Sequence, residues 1–350
     1  METLHDVMSR GAFILQQDLA KFEESLKIFL NVKHAFGVAD GTNAIMLALR
    51  AAGISVGDEV ILCSHTYIAT AASVHFVGAT PVLAECGVDH MIDPNHVLRL
   101  ITQKTKAIMP TQLNGRTCNM DKLQNIAEKQ QLIIIEDAAQ ALGSKFRSKH
   151  AGTFGAAGTF SFYPAKVLGC FGDGGAVVTN DDTFAEKLSL LRDHGRNKDG
   201  EVVTWGTNCR LDNIQAAVLN IKMKTFKKDI ARRREIAGMY HRALNEIADV
   251  TLPPAPDEDE KHFDVYQNYE IEADRRDGLR AYLGSKGIGT IIQWGGKAVH
   301  QLKGLGFDDL SLPITEQMTK RFLMLPMNTS LTDDDIEYVC ECIIKFYNRK

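Results

Sequence analysis

A lysine with the potential for covalent chemistry lies between a hydroxyl-bearing strand and a glycine loop. It is Lys166, in the stretch 158–175, Gly-Thr-Phe-Ser-Phe-Tyr-Pro-Ala-Lys-Val-Leu-Gly-Cys-Phe-Gly-Asp-Gly-Gly. Desolvation or a nearby positive charge lets such an amine lose its proton near neutral pH, and the neutral amine condenses with an aldehyde such as that of pyridoxal phosphate. The alternative is an ordinary surface lysine, because most lysines are exposed. Lys166 alone favours that alternative, so the other residues decide.

A carboxylate follows a buried strand that we predict at 132–135. This residue, Asp137, could pair with the protonated nitrogen of a pyridine ring, which makes the ring an electron sink for a carbanion. Gln140, three residues further on, could reach the phenolic oxygen of the same ring. The alternative role for Asp137 is helix capping, for which aspartate is a preferred residue.

A phosphate site is predicted where Gly41, Thr42 and Asn43 stand between a short strand and a helix. Free backbone N–H groups at a helix start, with a threonine hydroxyl beside them, suit a phosphate monoester, although the same residues are also ordinary capping residues. Ser161, five residues before Lys166, could supply another donor. Tyr67 offers a flat face for stacking on a planar ring, or it is simply a buried aromatic residue.

Further polar residues stand before a long helical pattern. Asn208 and Arg210 lie at its start, and Arg196 belongs to a basic loop just upstream that could bind a diphosphate. Solvated surface positions are an equally good reading for the two arginines.

The elements that would position these residues alternate between short apolar runs and helical patterns from Phe36 onward. Such alternation predicts an α/β fold with a largely parallel sheet, in which sites lie at the carboxyl ends of the strands. An amphipathic helix is expected at 15–30, and one long helical pattern over 211–247 suggests a connector between domains. We therefore predict a three-layer α/β/α large domain with a mostly parallel mixed sheet at 1–225. A connecting helix and a small α/β domain follow at 226–350.

The composition excludes several classes of protein. With 350 residues, 45% of them hydrophobic and a net charge of −4, the chain offers no global attraction for nucleic acid or an anionic membrane. No apolar stretch approaches the roughly 20 residues that span a bilayer. The first residues do not resemble a signal peptide. The seven cysteines have no metal-ligand spacing, so we expect no metal and a reduced, cytoplasmic setting.

Taken together, these residues resemble the DegT/StrS-type sugar-nucleotide aminotransferases, a family of fold-type I pyridoxal phosphate enzymes. The resemblance runs from about residue 10 to the C-terminus, and its motifs occur in the family's order. They are Gly41-Thr-Asn, Tyr67-Ile-Ala-Thr, Glu136-Asp-Ala-Ala-Gln, Ser161-Phe-Tyr-Pro-Ala-Lys, Gly172-Asp-Gly-Gly, His194-Gly-Arg, Gly206-Thr-Asn-Cys-Arg, His300-Gln and Leu325-Pro-Met-Asn.

The resemblance implies a role for each matching residue. Lys166 would bind the aldehyde of pyridoxal phosphate covalently and move protons, and Asp137 would hold the ring nitrogen protonated. The other cofactor contacts would be Gly41, Thr42, Asn43, Tyr67, Gln140, Ser161 and Asn208, with Asn208 reaching across a homodimer. Arg196, Arg210 and His300 would contact the substrate. The implied reaction is a ping-pong transfer of an amino group from L-glutamate to a nucleoside-diphosphate-linked 3-keto or 4-keto 6-deoxyhexose, for glycan or lipopolysaccharide amino-sugar biosynthesis.

The chain also departs from the family's pattern. Gln112 stands where many relatives have histidine, in a loop expected to border the substrate, so the family's usual sugar preferences do not transfer. The alternatives are a dehydratase of the same fold, whose relatives often replace the lysine, and a non-catalytic regulatory homologue. A nicotinamide enzyme is excluded, because Gly172-Asp-Gly-Gly lacks the G-x-G-x-x-G spacing and precedes a strand.

Overall fold

A computed structural model describes residues 2–348. Its strands are β1 (His34–Val38), β2 (Glu59–Cys63), β3 (Thr80–Ala84), β4 (Thr105–Met109), β5 (Ile133–Asp137), β6 (Lys145–Phe146), β7 (Lys149–His150), β8 (Ala157–Ser161), β9 (Gly175–Thr179), β10 (Val250–Thr251), β11 (His262–Phe263), β12 (Tyr269–Ala273) and β13 (Phe322–Leu325). Its helices are α1 (Glu2–Arg10), α2 (Gln17–Leu30), α3 (Gly41–Ala51), α4 (Ile68–Phe76), α5 (Pro94–Leu100), α6 (Met120–Gln130), α7 (Asp182–Leu191), α8 (Asn213–Met223), α9 (Phe226–Leu244), α10 (Arg276–Ser285), α11 (Pro313–Met318) and α12 (Asp333–Tyr347). Two 3₁₀ helices span Gln293–Gly296 and Val299–Gln301.

The main sheet has seven strands in the order β1-β9-β8-β5-β4-β2-β3. Neighbouring strands from β8 to β3 are parallel, and β9 runs antiparallel to both of its neighbours. This confirms the predicted mostly parallel mixed sheet. Because β5 is the middle strand, its last residue, Asp137, lies at the centre of the edge where sites are expected.

Helices cover both faces of this sheet, which confirms the three-layer architecture. Apolar residues of α3, α4 and α7 pack on one face. The other face is covered by α2 and α8 at one end and by α5 and α6 at the other. Leu19, Phe22, Leu26 and Leu30 of α2 recur every three or four residues and are all buried, as the amphipathic pattern predicts.

The helical pattern over 211–247 is not one helix, and that prediction was wrong. The chain turns at Lys224 and Thr225, whose N–H groups donate to Ile221 O and Lys222 O at 3.1 Å in tighter i, i−3 turns. The Thr225 hydroxyl also bonds Lys222 O at 3.3 Å, which competes with continued helix. The break lets α8 pack on α2 while α9 packs on α12.

The C-terminal part has its own antiparallel sheet, in the order β10-β12-β13. Buried residues of α9, α10 and α12 form a separate apolar cluster on it. Phe226 and Ile230 near the start of α9 belong to the cluster of the large sheet, whereas Tyr240 and Leu244 belong to the small one. The division at 225/226 stays a prediction, since α9 contributes to both cores. Within residues 2–348, the helices are too short or too polar to cross a membrane.

Candidate active site

A cleft of about 800 Å³ lies at the carboxyl ends of the central strands. Its volume is within the usual range for sites that hold small molecules. The structure brings nearly all of the predicted cofactor residues into its lining, namely Gly41, Thr42, Asn43, Tyr67, Asp137, Gln140, Ser161 and Lys166. Ile291, Gln293, Trp294 and Met324 of the C-terminal part also line the cleft.

Asp137 is a buried carboxylate at the end of β5. Its Oδ2 accepts a hydrogen bond from the Thr70 hydroxyl at 2.7 Å, and its Oδ1 accepts one from the Ala139 N–H at 3.1 Å. Burial raises the pKa of Asp137, and these hydrogen bonds and the charge of Lys166 oppose the rise. A cationic ring nitrogen in the cleft would lower this pKa and would gain a partner.

A chain of threonine hydroxyls leads to Asp137. Thr66 Oγ1 lies 2.7 Å from Thr70 Oγ1 and 2.9 Å from Thr111 Oγ1. Each hydroxyl has a single proton, and Thr70 gives its own to the ionised Asp137. Thr66 therefore donates to Thr70, and Thr111 donates to Thr66. This one-way chain aligns three hydroxyl dipoles toward the carboxylate and favours its charged form.

Lys166 is half-buried in the cleft, and its amine makes no hydrogen bond within residues 2–348. Burial lowers the pKa of Lys166, and the negative charge of Asp137 opposes this. A lowered pKa increases the fraction of neutral amine, which is the nucleophilic form. The amine is thus available for covalent chemistry.

The predicted phosphate residues form the first turn of α3. Asp40 caps the helix by accepting from Asn43 N at 2.8 Å and Asn43 Nδ2 at 2.6 Å. The N–H groups of Gly41 and Thr42 have no acceptor in the described chain and face the cleft at the positive end of the helix dipole. A Cβ atom at position 41 would lie 2.8 Å from Ser161 Cβ, so glycine is required for this close approach. The turn and the Ser161 hydroxyl make a cradle for an anion.

Two further side chains face the cleft. Gln140 Oε1 accepts from Asn114 N at 2.8 Å, which leaves the Gln140 amide group as a donor into the cleft. Tyr67 is exposed, and its ring lies 6.4 Å from that of Trp294. Trp294 itself has φ 49° and precedes Gly295 and Gly296 at positive φ, so this turn presents an aromatic side chain at the mouth of the cleft.

Four of the predicted residues do not line the cleft of this chain. Asn208 is exposed and pairs through its backbone with Asp193, Arg196 is exposed, and Arg210 forms an ion pair with Asp193 at 2.8 Å. His300 is buried, and its Nδ1 lies 2.7 Å from Ser64 Oγ. Their predicted contacts with cofactor or substrate are therefore not visible within one chain.

Gln112 points away from the cleft, into the protein. Its Nε2 donates to Glu136 Oε2 at 2.7 Å, and its Oε1 accepts from Cys118 N at 2.6 Å. Burial raises the pKa of Glu136, and donors that include Gln112 and the N–H groups of Gly152 and Phe154 oppose the rise. In this structure Gln112 therefore supports a buried carboxylate, while its neighbour Thr111 lines the cleft.

A cluster of ionisable residues lies beside the cleft. His90 Nδ1 contacts Glu270 Oε1 at 3.0 Å, and His65 Nε2 lies 3.8 Å from the same oxygen. One ligand atom from each of these three residues lies within 4.8 Å of the others, a grouping that could hold a metal ion and that the cysteine count did not anticipate. Asn114 Nδ2 donates to Glu270 at 2.9 Å, which links the cluster to the cleft.

Sequence reasoning missed several of the residues that organise the cleft. Thr70 belongs to the motif Tyr67-Ile-Ala-Thr, and a second threonine four residues before it, Thr66, is the signal that could have identified it. Asn114, Gln267 and Asn268 have no such signal. Gln267 and Asn268 are ordinary amides that long-range contacts bring into the lining of the cleft, and Asn114 contacts Gln140 of that lining.

The cleft fits pyridoxal phosphate in each of its parts. Asp137 suits the ring nitrogen, Gln140 the ring oxygen, Lys166 the aldehyde, and the Gly41–Thr42 turn the phosphate. Comparisons with known proteins agree. Residues 1–344 match the model of the DegT/DnrJ/EryC1/StrS aminotransferase family.

Two curated relatives cover nearly the whole chain. The dTDP-3-amino-3,4,6-trideoxy-alpha-D-glucose transaminase of Streptomyces venezuelae is 40% identical over 93% of this chain and 86% of its own length. The "Pleiotropic regulatory protein" of Geobacillus stearothermophilus is 39% identical over 99% of this chain and 94% of its own. The crystal structure of DesV from S. venezuelae, in complex with a ketimine intermediate, has a TM-score of 0.95 and 36% identity, covering 100% of this chain and 94% of that one.

The fold and the cleft are thus those of a pyridoxal phosphate-dependent aminotransferase. Within that class, the chain belongs to the DegT/DnrJ/EryC1/StrS aminotransferase family of sugar-nucleotide transaminases.

The position of Gln112 leads to a stability prediction. Gln112→Leu leaves the Cys118 N–H unpaired and removes a donor from Glu136, so we expect a loss of about 2–3 kcal/mol in the free energy of unfolding, measured in urea. Gln124→Leu is the control, because this partly exposed amide makes one hydrogen bond, to Phe154 O at 3.0 Å, and its loss costs about 1 kcal/mol. Equal stability of Gln112→Leu and the wild type would contradict the supporting role.

Proposed function

We propose that this enzyme transfers an amino group from L-glutamate to C3 of a dTDP-linked keto-6-deoxyhexose by a ping-pong mechanism. The observation that supports it best is the meeting of Lys166, Asp137 and the α3 anion cradle in one cleft. The sugar and the position C3 follow the name of the Streptomyces venezuelae relative. A 4-keto sugar is the alternative acceptor.

The chain's own residues would divide the work. When bound, pyridoxal phosphate supplies an electron sink for the carbon that carries the amino group. Asp137 holds the ring nitrogen protonated, and the threonine chain keeps that carboxylate charged. Lys166 Nζ takes a proton from the glutamate α-carbon and later returns one to the sugar carbon, because burial lowers the pKa of this amine toward that task. Gly41, Thr42 and Ser161 fix the phosphate, and Tyr67 stacks on the ring.

We also propose a homodimer with shared active sites. Among the described residues that line the cleft, Lys166 is the only cation, beside Asp40, Asp137 and Asp173. A nucleoside diphosphate needs more positive charge than this. Arg196, Arg210 and Asn208 flank a loop whose Val202, Val203 and Trp205 are exposed, Trp205 by 92%. An apolar loop of this kind is typical of a protein interface, and a second copy could bring the loop to the neighbouring cleft.

Two other functions remain as competitors. A regulatory role is suggested by the name of the Geobacillus relative, and the intact set of Lys166, Asp137 and anion cradle argues against a purely regulatory protein. A dehydratase is disfavoured because Lys166 is retained. We further propose that the enzyme works in the cytoplasm on amino sugars for glycans or lipopolysaccharide, which is consistent with seven free, buried cysteines.

The role of Lys166 can be tested with the purified protein. We expect a yellow protein in which borohydride fixes the cofactor on the peptide that contains Lys166, identified by mass spectrometry. Lys166→Ala should lose the trapped peptide and about a thousandfold or more of the turnover rate, since it lacks the proton-transfer group. Lys187→Ala is a control, because Lys187 contacts Ala51 O at 3.3 Å, outside the cleft. Trapping on another lysine would disprove the assignment.

The acceptor can be identified with a panel of dTDP-, UDP- and GDP-linked 3-keto and 4-keto sugars and ¹⁵N-labelled L-glutamate. We expect the dTDP-linked 3-keto 6-deoxyhexose to give the highest kcat/KM, by about tenfold or more over the 4-keto isomer. The measurements are release of 2-oxoglutarate and the mass of the sugar product. A product without ¹⁵N would indicate dehydration instead, and bound cofactor without any turnover would favour the regulatory role.

The shared site can be tested by complementation. Co-expressed Lys166→Ala and Asn208→Ala chains, with different tags, should form mixed dimers in which one of the two sites is fully intact, provided that Asn208 serves the partner's site. The unsorted mixture should then recover about a quarter of the wild-type activity, because half of the dimers are mixed. Each variant expressed alone is the control. No recovery in purified mixed dimers would place Asn208 in its own chain's site.

A further inference from the structure

A single glutamine side chain holds the backbone on both sides of Lys166. Gln267 Oε1 accepts a hydrogen bond from Val167 N at 2.6 Å, and Gln267 Nε2 donates to Ala165 O at 2.8 Å. Gln267 lines the cleft but is only 7% exposed, so little water competes for these bonds. One amide therefore satisfies a donor and an acceptor on the two residues that flank the lysine.

The Lys166 loop needs such an external support. Tyr163, Pro164 and Ala165 are exposed, and Lys166 N donates to Tyr163 O at 2.8 Å in a tight turn outside any helix or strand. Because the Lys166 amine makes no hydrogen bond of its own in the described chain, the direction of the side chain follows from the backbone at 165–167.

Gln267 is itself held in place from two sides. The Arg233 guanidinium, buried on α9, donates to Tyr266 O at 3.0 Å and to Gln267 O at 3.2 Å. On the other side, Gly115 packs so closely that a Cβ atom there would lie 2.6 Å from the backbone nitrogens of Tyr266 and Gln267. The segment is thus fixed before it reaches the lysine loop.

The next residue reaches the other end of the cofactor site. Asn268 Nδ2 donates to Asn114 Oδ1 at 2.7 Å, and Asn114 N donates to Gln140 Oε1 at 2.8 Å. Consecutive residues of one segment therefore support Lys166 and, through Asn114, Gln140. This segment leads directly into β12 of the C-terminal sheet.

We propose that Gln267 is a positioning residue that sets the direction of the Lys166 amine through its paired hydrogen bonds to Ala165 and Val167. This inference rests on the proposed covalent role of Lys166. Both polar side-chain atoms of Gln267 are used on the backbone beside Lys166, so it acts through the lysine loop. Loss of its two bonds frees the loop, and a displacement of about 1 Å in a reacting group can lower a rate by about a hundredfold.

The test compares two glutamines that bind the same loop in the same way. Gln215 also uses both polar atoms of its side-chain amide. It accepts from Phe171 N at 2.9 Å and donates to Phe171 O at 3.3 Å, and Phe171 lies five residues after Lys166. Gln267→Leu and Gln215→Leu each remove one acceptor and one donor from the loop, and the bonds of Gln215 are the more exposed pair.

The measurements on the holoenzymes are the midpoint of the pH titration of the visible cofactor band, the yield of borohydride trapping at Lys166, and the thermal unfolding midpoint. We expect Gln267→Leu to shift the titration midpoint and reduce the trapping yield, and Gln215→Leu to match the wild type in both. The turnover rate of Gln267→Leu should fall by about ten- to a hundredfold.

Two outcomes would overturn the proposal. One is a Gln267→Leu holoenzyme with the wild-type titration midpoint and trapping yield. The other is equal shifts in Gln267→Leu and Gln215→Leu together with equal losses of thermal stability, which would reveal a general effect of loosening the loop. Failure of the proposed function is separate, because it shows in the wild-type protein alone, as trapping on a lysine other than Lys166 or as a sugar product without ¹⁵N.

Discussion

In the proposed mechanism the Asp137 carboxylate has to stay charged while it is buried, and this is the constraint on which the cleft depends. Burial favours its neutral form, which would be useless to a protonated ring nitrogen. Oriented dipoles favour the charged form instead. Thr70 and the Ala139 N–H donate directly to the carboxylate, and Thr66 and Thr111 continue the series of hydroxyl hydrogen bonds. The sheet order adds to this, because the middle strand delivers the carboxylate between α3 and the Lys166 loop.

The amine faces the reverse demand. In the proposed mechanism Lys166 has to lose its proton; burial lowers its pKa, and the charge of the nearby Asp137 carboxylate opposes this. The two groups are therefore kept in one cleft without a hydrogen bond between them, so that neither is locked in a fixed ion pair. The distance between the two groups is therefore set by the backbone that carries them. At Lys166, that backbone is held by contacts from the C-terminal part of the chain.

Much of the fold and of the cofactor cleft could be predicted because the relevant signals are local. Lys166, Asp137 and Gly41–Asn43 stand next to strand ends or helix starts, where residue type and spacing have a direct physical meaning. Gln267 could not be found in this way, since it meets Ala165 and Val167 across about a hundred residues. Helical periodicity also continued through Thr225, because the turn there keeps apolar residues at similar spacing. The direction of Gln112 depended on Glu136, a partner that its own loop does not reveal.

The membership of α9 in two apolar clusters bears on how this enzyme could be recombined with its relatives. Phe226 and Ile230 complete the core under the large sheet, while the second half of the same helix completes the core under the small one. A chimaera joined after Leu244 would take the C-terminal core from one parent and the α9 residues that pack on it from the other. A chimaera joined at Lys224 would separate Phe226 in the same way from the residues of the large core that surround it. Exchange of substrate-facing segments is therefore better confined to loops, with α9 and its two contact surfaces inherited from one parent.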